Sequence, residues 1–206
     1  MENTMLSIAL AFTLMSCANT QKMTSEKSGN MESMNTENLY TDSVIASLQQ
    51  KNDLVLAYAV EANAWGKSAT YQIITKKGDD WMGYFYYVNL MENAKTNGAH
   101  PFNINPVVLP KEACEEVLNS FQKNEIDKIK GDGGKDFCGS NPPKTCNIND
   151  GTTSRLLWLT NSKTAEPSFY EPVFYEECCP GNADRKKFIE VMQKIQDVFT
   201  QYGKGR

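Results

Sequence analysis

The side chains with the most chemistry in this sequence are its cysteines. Two are adjacent, in the stretch EECCPG at residues 176–181, just ahead of a predicted helix. Unpaired N–H groups and the dipole at a helix N-terminus stabilise a thiolate, so Cys178 and Cys179 are candidates for thiol-based redox chemistry. Glu176 and Glu177 oppose this by adding negative charge, and Cys-x-x-Cys, the spacing that best supports dithiol exchange, is absent. A structural use is the stronger expectation. Cys138 and Cys146 bound the loop CGSNPPKTC, where Gly139, Pro142 and Pro143 let the chain turn back, and a disulfide between these two is expected. One of Cys178 and Cys179 would then bridge elsewhere, with Cys114 as the partner. Cys138, Cys146, Cys178 and Cys179 could together offer four sulfurs to zinc, but paired Cys-x₂₋₄-Cys hooks are missing. No metal and no cofactor is expected.

Other catalytic patterns are scarce. The single histidine, His100, excludes a multi-histidine metal site and is the one candidate base for a hydrolytic triad. Neither a Gly-x-Ser-x-Gly elbow nor a phosphate-binding Gly-x-x-x-x-Gly-Lys-Ser/Thr is present. The glycine-rich run Lys130–Gly134 lacks the strand before it and the helix after it that a phosphate loop needs. Asp132, Asp136, Asn147, Asn149 and Asp150 could give oxygens to calcium, yet they follow no EF-hand spacing and are ordinary turn formers. Glu171, Glu176 and Glu177 read as a solvated face. No catalytic residue is assigned. Trp81, Tyr84, Phe85, Tyr86 and Tyr87 put rings on both faces of one strand, as a central strand between helices requires. In the alternative, one face is open, and Trp81, Tyr84 and Tyr86 meet a glycan or a protein partner.

The elements that must position these groups follow from hydrophobic period and capping. Thr41 or Asp42 caps a short helix with Val44, Ile45 and Leu48 on its apolar side. Leu54–Val60 has strand composition, although its alanines and leucines leave a helix open. Tyr71–Lys76 and Trp81–Val88 form a hairpin about the turn Lys77–Asp80. Residues 90–109 read as an irregular crossing. Pro110 opens a helix whose buried stripe is Cys114, Val117, Leu118 and Phe121. Residues 131–153 read as loop, Arg155–Thr160 as a strand, and Phe169–Tyr175 as an edge strand interrupted by Pro172. Asn182 caps the last helix, striped by Phe188, Val191, Met192, Ile195, Phe199 and Tyr202. The expected class is α+β: an antiparallel sheet of about 4–5 strands with about three helices packed on one face.

The N-terminal residues supply an address. Met5–Met15 is apolar and too short to cross a bilayer, which takes about 20 residues, but suits the apolar region of a secretory leader. It ends in Leu14-Met15-Ser16-Cys17, which resembles the lipobox of bacterial lipoproteins, with departures at Met15 and in an n-region that carries Glu2 and no Lys or Arg. The resemblance covers the first 17 residues and implies removal of residues 1–16 and lipidation of Cys17. Residues 17–38 are polar, rich in Ser, Thr, Asn, Lys and Glu, and read as a flexible tether. Residues 39–206 read as a single domain, large enough to bury a core without relying on disulfides. Net charge is −4 and basic residues are scattered, which argues against nucleic acid as a partner. The expectation is a lipid-anchored protein of the bacterial cell envelope, periplasm-facing, with a non-catalytic binding or assembly domain. A thiol-based envelope enzyme using Cys178 and Cys179 is the alternative.

Overall fold

A computed structural model of the chain describes residues 36–62, 68–89, 103–132, 138 and 146–203. All belong to one compact unit, Asn35–Arg206. The leader, Cys17, most of the tether, His100, Asp136 and the centre of the CGSNPPKTC loop lie outside the described residues.

The elements run α1 (Thr36–Lys51), β1 (Leu54–Ala62), β2 (Ser68–Lys77), β3 (Asp80–Asn89), β4 (Asn103–Val107), α2 (Lys111–Lys123), a 3-10 turn at Ile126–Lys128, β5 (Thr152–Thr160), β6 (Thr164–Ala165), β7 (Ser168–Tyr170), α3 (Pro172–Cys178) and α4 (Ala183–Tyr202). The strands make one antiparallel sheet in the order β4-β3-β2-β1-β5-β6, and β7 pairs with the remaining length of β5. The class is α+β as expected, with more strands than expected. β4 was hidden in the apparent crossing because it is short and holds Pro106, which cannot donate to a ladder and is tolerated at an edge.

β1 is fully paired on both sides, with Leu56 opposite Ile74 of β2 and Trp158 of β5. Its neighbours decide that LVLAYAV is a strand: both faces are buried, so a continuous apolar run suits it better than alternation. Leu54, Leu56 and Tyr58 face a cluster built with Leu156, Trp158 and Ile74 of the sheet. Val117 and Phe121 of α2, and Phe188, Val191, Ile195 and Phe199 of α4, complete it. Val55, Ala57 and Ala59 face the other way, with Ile73, Tyr71, Tyr86 and Leu157, under Val44, Ile45 and Leu48 of α1. Helices therefore cover both faces. The one-face expectation fails because α1 is separated from α2 by four strands and crosses to the opposite side.

Local rules hold at the helix ends. The Asn182 side chain accepts from the Arg185 N–H at 3.0 Å, capping α4 as expected. α2 begins directly after Pro110, and Cys114, Val117 and Phe121 are buried. Tyr202, by contrast, is 37% exposed in the last turn of α4 and does not extend its stripe. Pro172 corrects another expectation: it starts α3 rather than interrupting an edge strand. Glu171 takes a left-handed turn with φ 39°, and the fixed φ of Pro172 then suits a first helical position.

Candidate functional site

Two regions bring chemistry-bearing side chains together: a cleft at one end of the sheet and the cysteine junction between α3 and α4.

The cleft lies on the face covered by α4. Strand register places Tyr58 of β1, Gln72 of β2, Phe85 of β3 and Asn105 of β4 side by side across the sheet. One step along come Val60, Thr70 and Tyr87. Gln196 of α4 closes one side, and the volume enclosed is about 330 Å³. The floor is fixed by packing. Phe85 meets Phe199 edge to face at 4.9 Å, and the Tyr58 hydroxyl lies 3.4 Å from Ser154 Oγ. Burial raises the pKa of Tyr58 despite that bond, so the phenol is neutral at physiological pH. Tyr87 stands at the rim, 47% exposed. None of the described residues lining the cleft carries a charge. The Gln72 Oε1 is buried without a hydrogen-bond partner, a deficit that typically costs about 1–3 kcal/mol.

A larger groove between α2 and α4 is lined by Glu116, Lys123, Glu190 and Lys194. Four of its five charged side chains, all but Asp197, form Lys123–Glu190 and Lys194–Glu116 ion pairs across the helix packing, as on a solvated seam.

The expected aromatic surface is placed differently. Tyr86 is 1% exposed and packs on Tyr71 at 5.3 Å between ring centroids, under the α1 side of the sheet. Burial pushes its pKa up to about 12. Tyr84 is half-buried against the same cluster, and Trp81 packs against the opposite one with Lys76 Nζ over its ring at 5.3 Å. Tyr84 and Tyr86 thus form no open face. The accessible rings of β3 are on the other side, at Phe85 and Tyr87. Period-2 alternation separated the two sets, but nothing in the strand itself says where a covering helix ends.

No protein-family model matches the chain, and no curated protein shows significant similarity to it.

At the cysteine junction, Cys138 is bonded to Cys179 and Cys146 to Cys178. The expected Cys138–Cys146 bond is not formed, nor does Cys114 bridge to the pair. Adjacent cysteines project from a rigid junction toward two different partners, so each takes one end of the loop. Once formed, the bond across the 41-residue span constrains the unfolded chain, which stabilises the fold by about 4 kcal/mol. Cys114 is fully buried on α2, and burial, reinforced by Glu115, pushes its pKa up to about 11. It behaves as a small apolar core residue.

The acidic residues near the junction are engaged as well. Arg185, 2% exposed, pairs with Glu176 at 3.0 Å and donates to the Cys179 carbonyl at 2.6 Å. Burial alone would raise the Glu176 pKa, but the Gly181 N–H, Arg185 and Lys186 together hold it below the usual carboxylate value. Glu171 accepts from the Thr152 N–H at 2.5 Å, and Asp132 from the Tyr170 N–H at 3.0 Å. Gly131 brings that loop against β7: its φ is +73°, and a Cβ there would sit 2.3 Å from the Ser168 carbonyl oxygen. Gly131 and Asp132 therefore serve to dock this end of the loop on β7. Among the described residues, the one group of three or more potential metal ligands within reach of one another is Cys138, Cys146 and Cys179.

Proposed function

We propose that this chain is a membrane-tethered envelope lipoprotein whose domain binds a neutral, hydroxyl-rich ligand of the glycan class in the cleft of Tyr58, Gln72, Phe85, Tyr87, Asn105 and Gln196. The observation that carries the reading is the combination of aromatic rings and side-chain amides with no charged lining residue. Rings stack on the apolar C–H faces of a sugar, and amides exchange hydrogen bonds with its hydroxyls. A charged ligand would be desolvated here without a counter-charge. The volume is at the lower end of the range for small-molecule sites, which fits one or two sugar rings. The terminal torsion of Gln72 is soft, so its amide can turn its unsatisfied oxygen toward a ligand hydroxyl. The lipobox resemblance at Leu14–Cys17 supports the tether, and no helix among the described residues is long and apolar enough to cross a membrane.

Calorimetric or NMR titration with neutral envelope oligosaccharides tests the ligand. Saturable binding that weakens at least tenfold in Tyr87→Ala and in Gln72→Ala supports the site; binding unchanged in both variants overturns it. The tether is tested separately, by the intact mass of membrane-extracted protein. A chain beginning at Cys17 with added acyl mass supports it, and an unlipidated chain starting at Met1 refutes it.

A further inference from the structure

The structure brings together two cysteine pairs, Cys138 with Cys146 and Cys178 with Cys179, that are separated from each other by 32 to 41 residues and follow no zinc-hook pattern. The Sγ atoms of Cys138 and Cys146, which are not bonded to each other, are 3.4 Å apart, and those of Cys146 and Cys179 are 3.6 Å apart. All three sulfurs lie within 4.8 Å of one another, and the fourth, from Cys178, is attached to Cys146. A tetrahedral zinc–thiolate centre has Zn–S bonds of about 2.3 Å, which places its sulfurs about 3.8 Å apart. The non-bonded sulfur contacts are already close to that edge length.

We propose that, in their thiol form, Cys138, Cys146, Cys178 and Cys179 make a tetrathiolate site for a zinc-class divalent cation. The donor set is all sulfur. Among the described residues no carboxylate joins the sulfur group, and Glu176, half-buried nearby, is already held by Arg185 and the Gly181 N–H. That chemistry selects a borderline-soft cation over calcium or magnesium. The frame is rigid on one side: the Cys179 N–H donates to the Tyr175 carbonyl at 2.9 Å, and its carbonyl accepts from buried Arg185. The N-terminus of the 20-residue helix α4 follows three residues later and favours the negative charge of a tetrathiolate. All four cysteines are buried or half-buried, which keeps bulk water from the site.

Four thiols and one Zn²⁺ give a dianionic centre and release four protons. Disulfide formation instead removes two electrons and two protons per bond, so the two states exclude each other. A newly made chain carries the thiols already. An oxidised chain needs two equivalents of a dithiol reductant, each supplying two electrons and two protons and closing to its own disulfide.

The test uses the full chain, reduced anaerobically with a phosphine, and Zn²⁺ or Co²⁺ as probes. Native mass spectrometry should find one metal per reduced chain, and Co²⁺ should give the intense visible bands of a tetrahedral thiolate site. Bound zinc should shield four thiols from alkylation and slow reoxidation. The Cys138→Ser/Cys179→Ser variant should lose at least a hundredfold in affinity. Circular dichroism follows folding in parallel: should the reduced chain be loosened, zinc must restore its native spectrum. No stoichiometric metal on the reduced chain, equal uptake by the double variant, or equal uptake by the urea-unfolded reduced chain would each overturn the proposal.

Discussion

On the sheet face that carries Leu56, Ile74 and Leu156, two helices lay down Phe121, Phe188 and Phe199, and the core there is made of large rings. On the opposite face, the sheet offers Ala57, Ala59 and Ala69 beside Ile73 and the Tyr71–Tyr86 pair, and α1 approaches with Val44, Ile45 and Leu48. Small strand residues let a helix lie close, so the second face closes over Tyr86. The ring-filled face is propped open by its own bulk. Where Gln196 and Phe199 of α4 pass over Phe85, the cover runs out and the cleft begins. Bulk on one face and smallness on the other thus decide which aromatic residues are core and which meet solvent.

The largest loss of stability is expected in the ring-filled core. Phe188→Ala removes a fully buried ring that packs edge to face on Phe169 at 5.0 Å, and should cost about 3–5 kcal/mol in urea unfolding. On the other face Ile73→Ala, also fully buried, should cost about 2–4 kcal/mol. A larger loss at Ile73 than at Phe188 would invert the ranking of the two faces.

Alkali probes the α1 face through Tyr86. Its phenol titrates near 10 when unfolded and about 12 in the fold, so the folded state favours the protonated form. That contribution is fully present below pH 10 and is lost as pH rises toward 12, about 2–3 kcal/mol in all. Stability measured at pH 9 and at pH 11.5 should show the fall, and Tyr86→Phe should reduce it. An equal fall in the variant would show that Tyr86 is not the group responsible.

Two smaller effects sharpen the picture. In the folded chain at pH 8, Cys114 should resist iodoacetamide and react only on unfolding, because its thiol is buried and protonated. Tyr87→Ala at the cleft rim should shift stability by no more than about 0.5 kcal/mol, since the ring is half in solvent. A loss of 2 kcal/mol or more would make Tyr87 part of the core and move the cleft elsewhere.

Much of the scaffold was legible in the chain. The stripe Cys114, Val117 and Phe121 and the Asn182 cap of α4 follow from spacing and local hydrogen bonding, which depend on residues within one or two turns. The hairpin of β2 and β3 was set by alternation about Gly78, whose φ is +59°. Less was readable where one signal served two outcomes. Pro172 marks either an interrupted edge strand or a helix start, and Pro106 in a polar stretch hid an edge strand. α1 also begins at Thr36, upstream of the Thr41 and Asp42 caps, because a good capping residue permits a helix start without requiring one.

The sequence by itself determined the α2 stripe, the Asn182 cap of α4, the β2–β3 hairpin with its two alternating sets of rings, and the α+β class. Only the tertiary structure decided which ring set is covered, that α1 and α4 take opposite faces, and that Cys138 and Cys146 each reach across to the Cys178–Cys179 junction instead of to each other. The physical reason is range. Capping, turns and periodicity act over a few residues, whereas burial and sulfur proximity depend on segments tens of residues apart being packed against one sheet.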